Sequence, residues 1–89
     1  MSIGRFNPDT ATSSKSKQYA SGGARNLVAD SPGGGLCARK IVLLASGDLT
    51  SCKDGSDLEM GPFSGLPAGF EHVGSFSEVN ATVAFIAYW

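Results

Sequence analysis

The sequence predicts an all-β protein, a small antiparallel β-sandwich or barrel of about five strands preceded by an extended N-terminal arm. Three observations predict it. Twelve glycines and four prolines in 89 residues favour short strands joined by turns. Two largely apolar runs rich in β-branched or aromatic residues, Ile41-Val42-Leu43-Leu44 and Ala81-Thr82-Val83-Ala84-Phe85-Ile86-Ala87-Tyr88-Trp89, have strand length. The first 35 residues keep neither a helical nor a strand period. A chain of this size makes one domain and buries about 60–65% of the surface its unfolded form exposes. A deep catalytic cleft is hard to fit into it.

The division that follows is an arm over residues 1–35 and a β-domain over residues 36–89. Within the arm, Thr10-Ala11-Thr12-Ser13-Ser14-Lys15-Ser16-Lys17 is polar and of linker composition. Ile3, Phe6, Tyr19, Leu27 and Val28 are single apolar anchors, spaced like side chains that dip one at a time into a larger surface. An arm with no core of its own is ordered by what it lies on, so these five are candidate interface residues. Ser31-Pro32-Gly33-Gly34-Gly35 reads as the hinge.

The β-domain opens with a strand over residues 36–45. Ser46-Gly47 is a two-residue turn candidate leading to a second strand over residues 48–53, a register that sets Cys52 opposite Ile41 and keeps the two cysteines apart. Asp54-Gly55 is a type I′ hairpin signal, because both central residues of that turn need positive φ. A third strand over residues 56–60 is expected next, then a proline-containing loop over residues 61–69. A fourth strand covers residues 70–76, with Phe70, His72, Gly74 and Phe76 on one face. Asn80 starts the last strand or its turn. That strand is apolar on both faces, Val83, Phe85, Ala87 and Trp89 against Ala84, Ile86 and Tyr88, so both faces want cover. Phe85, Tyr88 and Trp89 join the candidate interface on that ground. No helix is required.

Net charge is −1, but it is divided unevenly. Arg5, Lys15, Lys17, Arg25, Arg39 and Lys40 dominate residues 1–40, where only Asp9 and Asp30 oppose them. Asp48, Asp54, Asp57, Glu59, Glu71 and Glu78 dominate the remainder, opposed by Lys53. Opposite halves favour attraction within a chain or between copies.

Enzymatic readings find little support. The glycine-rich segments Gly22-Gly23 and Gly33-Gly34-Gly35 lack the Gly-Lys-Ser/Thr of a phosphate loop. His72 and Glu71 are sequence neighbours on opposite strand faces, and acid-base work needs convergence. Two cysteines, Cys37 and Cys52, with one histidine are too few for a zinc site or a disulfide scaffold. The acidic residues between Asp48 and Glu59 fit no EF-hand spacing. Neither a cofactor, a catalytic residue nor a metal is expected. A basic arm with few aromatics is a weak nucleic-acid footprint. No apolar run approaches the roughly 20 residues of a membrane helix, and Met1-Ser2-Ile3-Gly4-Arg5-Phe6 lacks the features of a secretory leader. Asn80-Ala81-Thr82 matches a glycosylation sequon, and Asn80 serves equally as a turn residue.

Taken in order, Ser46-Gly47-Asp48-Leu49-Thr50, Asp54-Gly55-Ser56-Asp57-Leu58, Leu66-Pro67-Ala68-Gly69 and the ending Asn80 to Trp89 resemble small β-domain proteins of tailed-phage and gene-transfer-agent heads, of the head spike-base and capsid decoration type. There, a Gly-Asp turn, an Asp-Gly turn, a Val-Pro-Ala-Gly loop and a Thr-x-Ala-Thr-x-Ile-Val-Ala-Leu-Tyr/Trp ending recur in the same order. The resemblance covers about residues 37–89. Glu71 to Phe76 lacks the usual basic residues, and Ser77-Glu78-Val79 stands where a Thr-Gly-Thr-like turn is usual.

The resemblance implies a virion structural protein made in the host cytoplasm and placed on the capsid surface. Its partners would be the major capsid protein, further copies of itself as a trimer or pentamer, and a spike or fibre protein. Two other readings stand beside it: a carbohydrate- or host-surface-binding module using Phe70, Tyr88 and Trp89 as an aromatic platform, and a tail or neck component. On the arm reading, removing residues 2–30 leaves a soluble β-domain that no longer attaches.

Overall fold

The computed structural model describes residues 15–89; Ile3 and Phe6 lie outside them. The elements are β1 (Ser16–Tyr19), β2 (Gly23–Asn26), α1 (Leu27–Asp30), β3 (Ala38–Leu43), β4 (Gly47–Asp54), β5 (Glu59–Met60), β6 (Phe63–Leu66), β7 (Glu71–Ala81) and β8 (Phe85–Tyr88). The chain is all-β and antiparallel, as the sequence predicts, but the eight strands among the described residues form one sheet that does not close. Strand order is β1-β8-β3-β7-β4-β5, with β2 added to β7 and β6 to β4.

β7 is the spine. Glu71, His72, Val73 and Phe76 pair with β3, and Glu78 to Ala81 pair with β2 along the same edge. β4 covers the other edge from Phe76 to Ala81. Bulges let one strand serve three partners. A shift between Ala38 and Lys40 bends β3 against β7, and another between Leu49 and Ser51 puts both Leu49 and Cys52 into the core from β4. The Thr50 hydroxyl occupies that second irregularity and donates to the Asn80 carbonyl at 2.7 Å.

The inner face carries the core: Leu27, Ile41, Leu43, Leu49, Phe76, Val79, Phe85 and Trp89, with Tyr19 and Cys52. Asn26 ends β2 and caps the single turn of α1, its Oδ1 accepting from the Val28 and Ala29 amides at 3.1 Å. That turn drives Leu27 into the core. The Trp89 indole donates to the Leu27 carbonyl at 3.1 Å, so the buried N–H of the largest core side chain is satisfied.

Several expectations need correction. Ser46-Gly47 does not join a hairpin, because β7 lies between β3 and β4, and Cys52 pairs with Val79 and Met60 rather than Ile41. Gly47 is small for a different reason: a Cβ there would meet the Val83 and Thr82 side chains. The β4–β5 hairpin exists at Asp54-Gly55, but its loop has three residues, with the left-handed φ of 64° at Asp57. The Asp57 amide donates to the Asp54 carbonyl, and Asp54 Oδ1 accepts from the Ser56 and Leu58 amides. This is the type I turn plus left-handed residue that longer hairpins use. The loop over residues 61–69 contains β6, the fourth strand runs on to Ala81, and Asn80 lies within it. The terminal strand is confined to Phe85–Tyr88.

The arm reading changes most. Residues 16–31 are two strands and a helical turn hydrogen-bonded to the body, β1 on β8 and β2 on β7.

Candidate interaction surface

Antiparallel partners that stand opposite share a face, and two rows define the outer face of the sheet. Ser16, Tyr88, Lys40 and Val73 form one; Gln18, Ile86, Val42 and Glu71 form the next. Leu44 and Ala84 extend it, the Leu44 amide donating to the Ala84 carbonyl at 2.9 Å. Tyr88, Ile86 and Val42 are half-buried, while Val73 and Leu44 are 47% and 40% exposed. The face is therefore apolar at its centre with nothing of this chain, among the described residues, packed over Val73 or Leu44.

One charged pair crosses it. Lys40 Nζ lies 3.3 Å from Glu71 Oε2 and 4.8 Å from the centroid of the Tyr88 ring. The ring quadrupole and the carboxylate hold the ammonium on the sheet, and the pair's worth is about 0–1 kcal/mol because Glu71 is solvated. It gives the patch a fixed polar feature rather than stability.

The predicted interface residues divide. Tyr19, Leu27, Phe85 and Trp89 are all 5% exposed or less; they close the chain's own core. Tyr19 stacks on Phe85 at 4.7 Å between ring centroids. Val28 and Tyr88 are half-buried, and of the six candidates among the described residues Tyr88 alone belongs to the outer patch. One face of the terminal strand, Phe85 and Ala87 with Trp89 after them, closes the core of its own sheet, and Ile86 and Tyr88 lie half-buried on the other. Lys40, Val42, Glu71, Val73 and Ile86 were not singled out by sequence. Their signal was available in the side-chain alternation of β3, β7 and β8, and it needed the strand pairing to become a patch. With Trp89 buried, the aromatic platform of Phe70, Tyr88 and Trp89 is not presented by the described residues.

The remaining chemistry-bearing groups are scattered. His72 packs against Phe63, Phe70 and Phe76 with ring centroids 5.5, 6.2 and 5.5 Å away. Cys37 and Cys52 are free thiols, and burial raises the Cys52 thiol above its usual value of 9.0, which suppresses the reactive thiolate. Among the described residues no three His, Cys, Asp or Glu side chains converge to hold a metal, and no helix is long and apolar enough to cross a membrane. Two depressions mark the surface. One of about 340 Å³ lies over β2, β7 and β4 beside Asn26, Ser51, Lys53, Glu78 and Asn80. The other, about 380 Å³, is bordered by Leu36, Cys37, Arg39, Gly74, Ser75 and Trp89. Among the described residues, no hydroxyl or thiol lining either depression is hydrogen-bonded to a carboxylate, amine or imidazole.

Compared with known protein families, curated proteins and solved structures, the chain has no match in any of the three.

Proposed function

We propose that this chain is a structural protein of a virion, a capsid decoration, cement or spike-base protein, that attaches to the shell built by the major capsid protein and is not an enzyme. The observation that carries the proposal is the outer face of β8, β3 and β7, where Val42, Val73, Ile86 and Tyr88 surround the Lys40–Glu71 pair. An apolar centre with a polar marker on an open sheet face suits docking on another protein's surface. It does not suit enclosing a small molecule. The patch is small, so a single copy binds weakly and attachment gains its strength from symmetric repetition. The order of turn motifs in the β-domain supports the virion setting, and Ile3 and Phe6 remain anchors for a second contact.

The test is compositional and then mutational. Peptide mass spectrometry of purified particles from the host that carries this sequence is expected to find the chain in fixed ratio to the major capsid protein. Val73→Glu with Ile86→Lys is expected to lower its occupancy on particles at least tenfold, with the unfolding midpoint of the free protein little changed. Particles that lack the chain altogether sink the proposal.

A further inference from the structure

We infer that residues 16–31 form an exchangeable module, and that the groove it fills along β8 and the C-terminal half of β7 also accepts the same module from a second copy of the chain. The groove is built to take a separable piece. β1 lies along β8, β2 along β7, and Tyr19 and Leu27 plug the core between them. Gly22, where the piece crosses from one strand to the other, sits so close that a Cβ would strike the Ala81 carbonyl and the Thr82 backbone. Trp89 then closes the seat through its bond to the Leu27 carbonyl. Every one of these contacts is satisfied equally by a module from another molecule.

The connection to the body is one segment, residues 32–37. Gly33, Gly34 and Gly35 follow one another at φ 77°, 79° and 84°, each with open space around it. The reversal is held by its own hydrogen bonds: the Gly34 amide to the Ser31 carbonyl, the Gly35 amide to the Val28 carbonyl and the Leu36 amide to Ser31 Oγ. Those bonds link the turn to α1 and not to the sheet. Extended, the six residues reach on the order of 20 Å, comparable with the 25 and 21 Å short dimensions of the molecule. A module can therefore leave its own groove and enter that of a copy lying alongside.

Exchange preserves the module's pairing and core contacts and gives up only the turn, so concentration decides the balance. A short tether holds the closed form at an effective concentration in the millimolar range. Dilute protein stays closed, and copies crowded side by side exchange. This inference concerns two copies of the chain alone and stands or falls apart from the virion proposal.

Gln18 and Ile86 stand opposite each other across β1 and β8; the Trp89 amide donates to the Lys15 carbonyl, and alternation along the ladder from that pair makes 18 and 86 a close, non-hydrogen-bonded pair. Two single variants, Gln18→Cys and Ile86→Cys, each with Cys37→Ser, are mixed at about 1 mM, opened in urea, refolded and oxidised. The expected product is a covalent heterodimer joined between positions 18 and 86, mapped by peptide mass spectrometry. Gly34→Ala, which strains the closed turn, is expected to raise its yield roughly fivefold to tenfold. A chain carrying both cysteines serves as the closed reference. If that reference closes within one chain while the mixture gives no cross-chain product, the inference is wrong. If the reference does not close, sedimentation equilibrium of Gly34→Ala at the same concentration decides: a dimer supports exchange and a strict monomer overturns it.

Discussion

Tyr19 is the residue where core, charge and pairing meet. Its ring lies on Phe85, its hydroxyl donates to Asp30 Oδ2 at 2.7 Å, and Lys17 and Arg25 stand 5.4 and 5.5 Å from the ring centroid. Burial first, then the hydrogen bond and the negative charge of Asp30, push its phenol far above the usual 10.0, with Arg25 pulling slightly the other way. A raised folded value means that the unfolded chain releases this proton first as pH rises. The stability it contributes is full below about pH 10 and declines above it. Cys52 acts in the same direction from about pH 9. Tyr19→Phe is expected to cost about 1 kcal/mol at pH 7 through the lost hydrogen bond. Its urea midpoint should then fall less than that of the wild type between pH 10 and 11. Parallel curves for the two proteins over that interval would show that the buried phenol does not set the alkaline limit.

At the scale of elements, local pattern is enough to read β3, the β4–β5 hairpin and β8, because each carries its own signal: the β-branched run at Ile41, the Asp54-Gly55 pair, the unbroken apolar run at Phe85. Their partners were not legible. Turn-based reasoning pairs neighbours, whereas β3 and β4 are separated by a strand that comes some 20 residues later. β7 itself was cut short at Phe76 because Ser77, Glu78 and Asn80 interrupt its apolar pattern; hydrogen bonds to β2 and β4 on both edges hold that stretch extended. β1 and β2 have too little apolar content to announce themselves, and they are strands only because β8 and β7 supply their partners. The outer patch was illegible for the same reason, since Lys40, Val73 and Tyr88 become neighbours only through pairing. The dependence of β2 on its seat can be measured. Gly22→Ala places a Cβ against backbone at Ala81 and Thr82, where no side chain can swing aside. The strand must shift, at a cost of about 1–3 kcal/mol. The urea midpoint should drop accordingly, and amide exchange should accelerate first at residues 23–26. Unchanged exchange there would mean that β2 holds its place without close packing at Gly22.

For the whole molecule, the consequence is that the arm and the body are one folding unit over the described residues. The first and last strands are paired, Ser16 to Tyr88 through Tyr19 to Phe85, and the Trp89 amide reaches the Lys15 carbonyl at 3.4 Å. Cutting at the glycine hinge does not separate a finished β-domain from a tether, as the composition of residues 1–35 had implied. It removes Tyr19 and Leu27 from the core, strips two strands from β7 and β8, and bares Phe85, Val79 and Trp89. Full burial of one large apolar side chain contributes about 1.5–3 kcal/mol, so losing several exceeds about 5 kcal/mol. That is the lower end of the total stability of an ordinary domain. Removing residues 2–30 is therefore expected to give a chain that unfolds or aggregates. Removing residues 2–14 leaves every element from β1 to β8 in the chain, and that truncation is expected to keep a cooperative urea transition. Circular dichroism and urea titration of the two truncations side by side check this. A shorter chain that melts cooperatively near the full-length midpoint would restore residues 1–35 to the status of a separable arm.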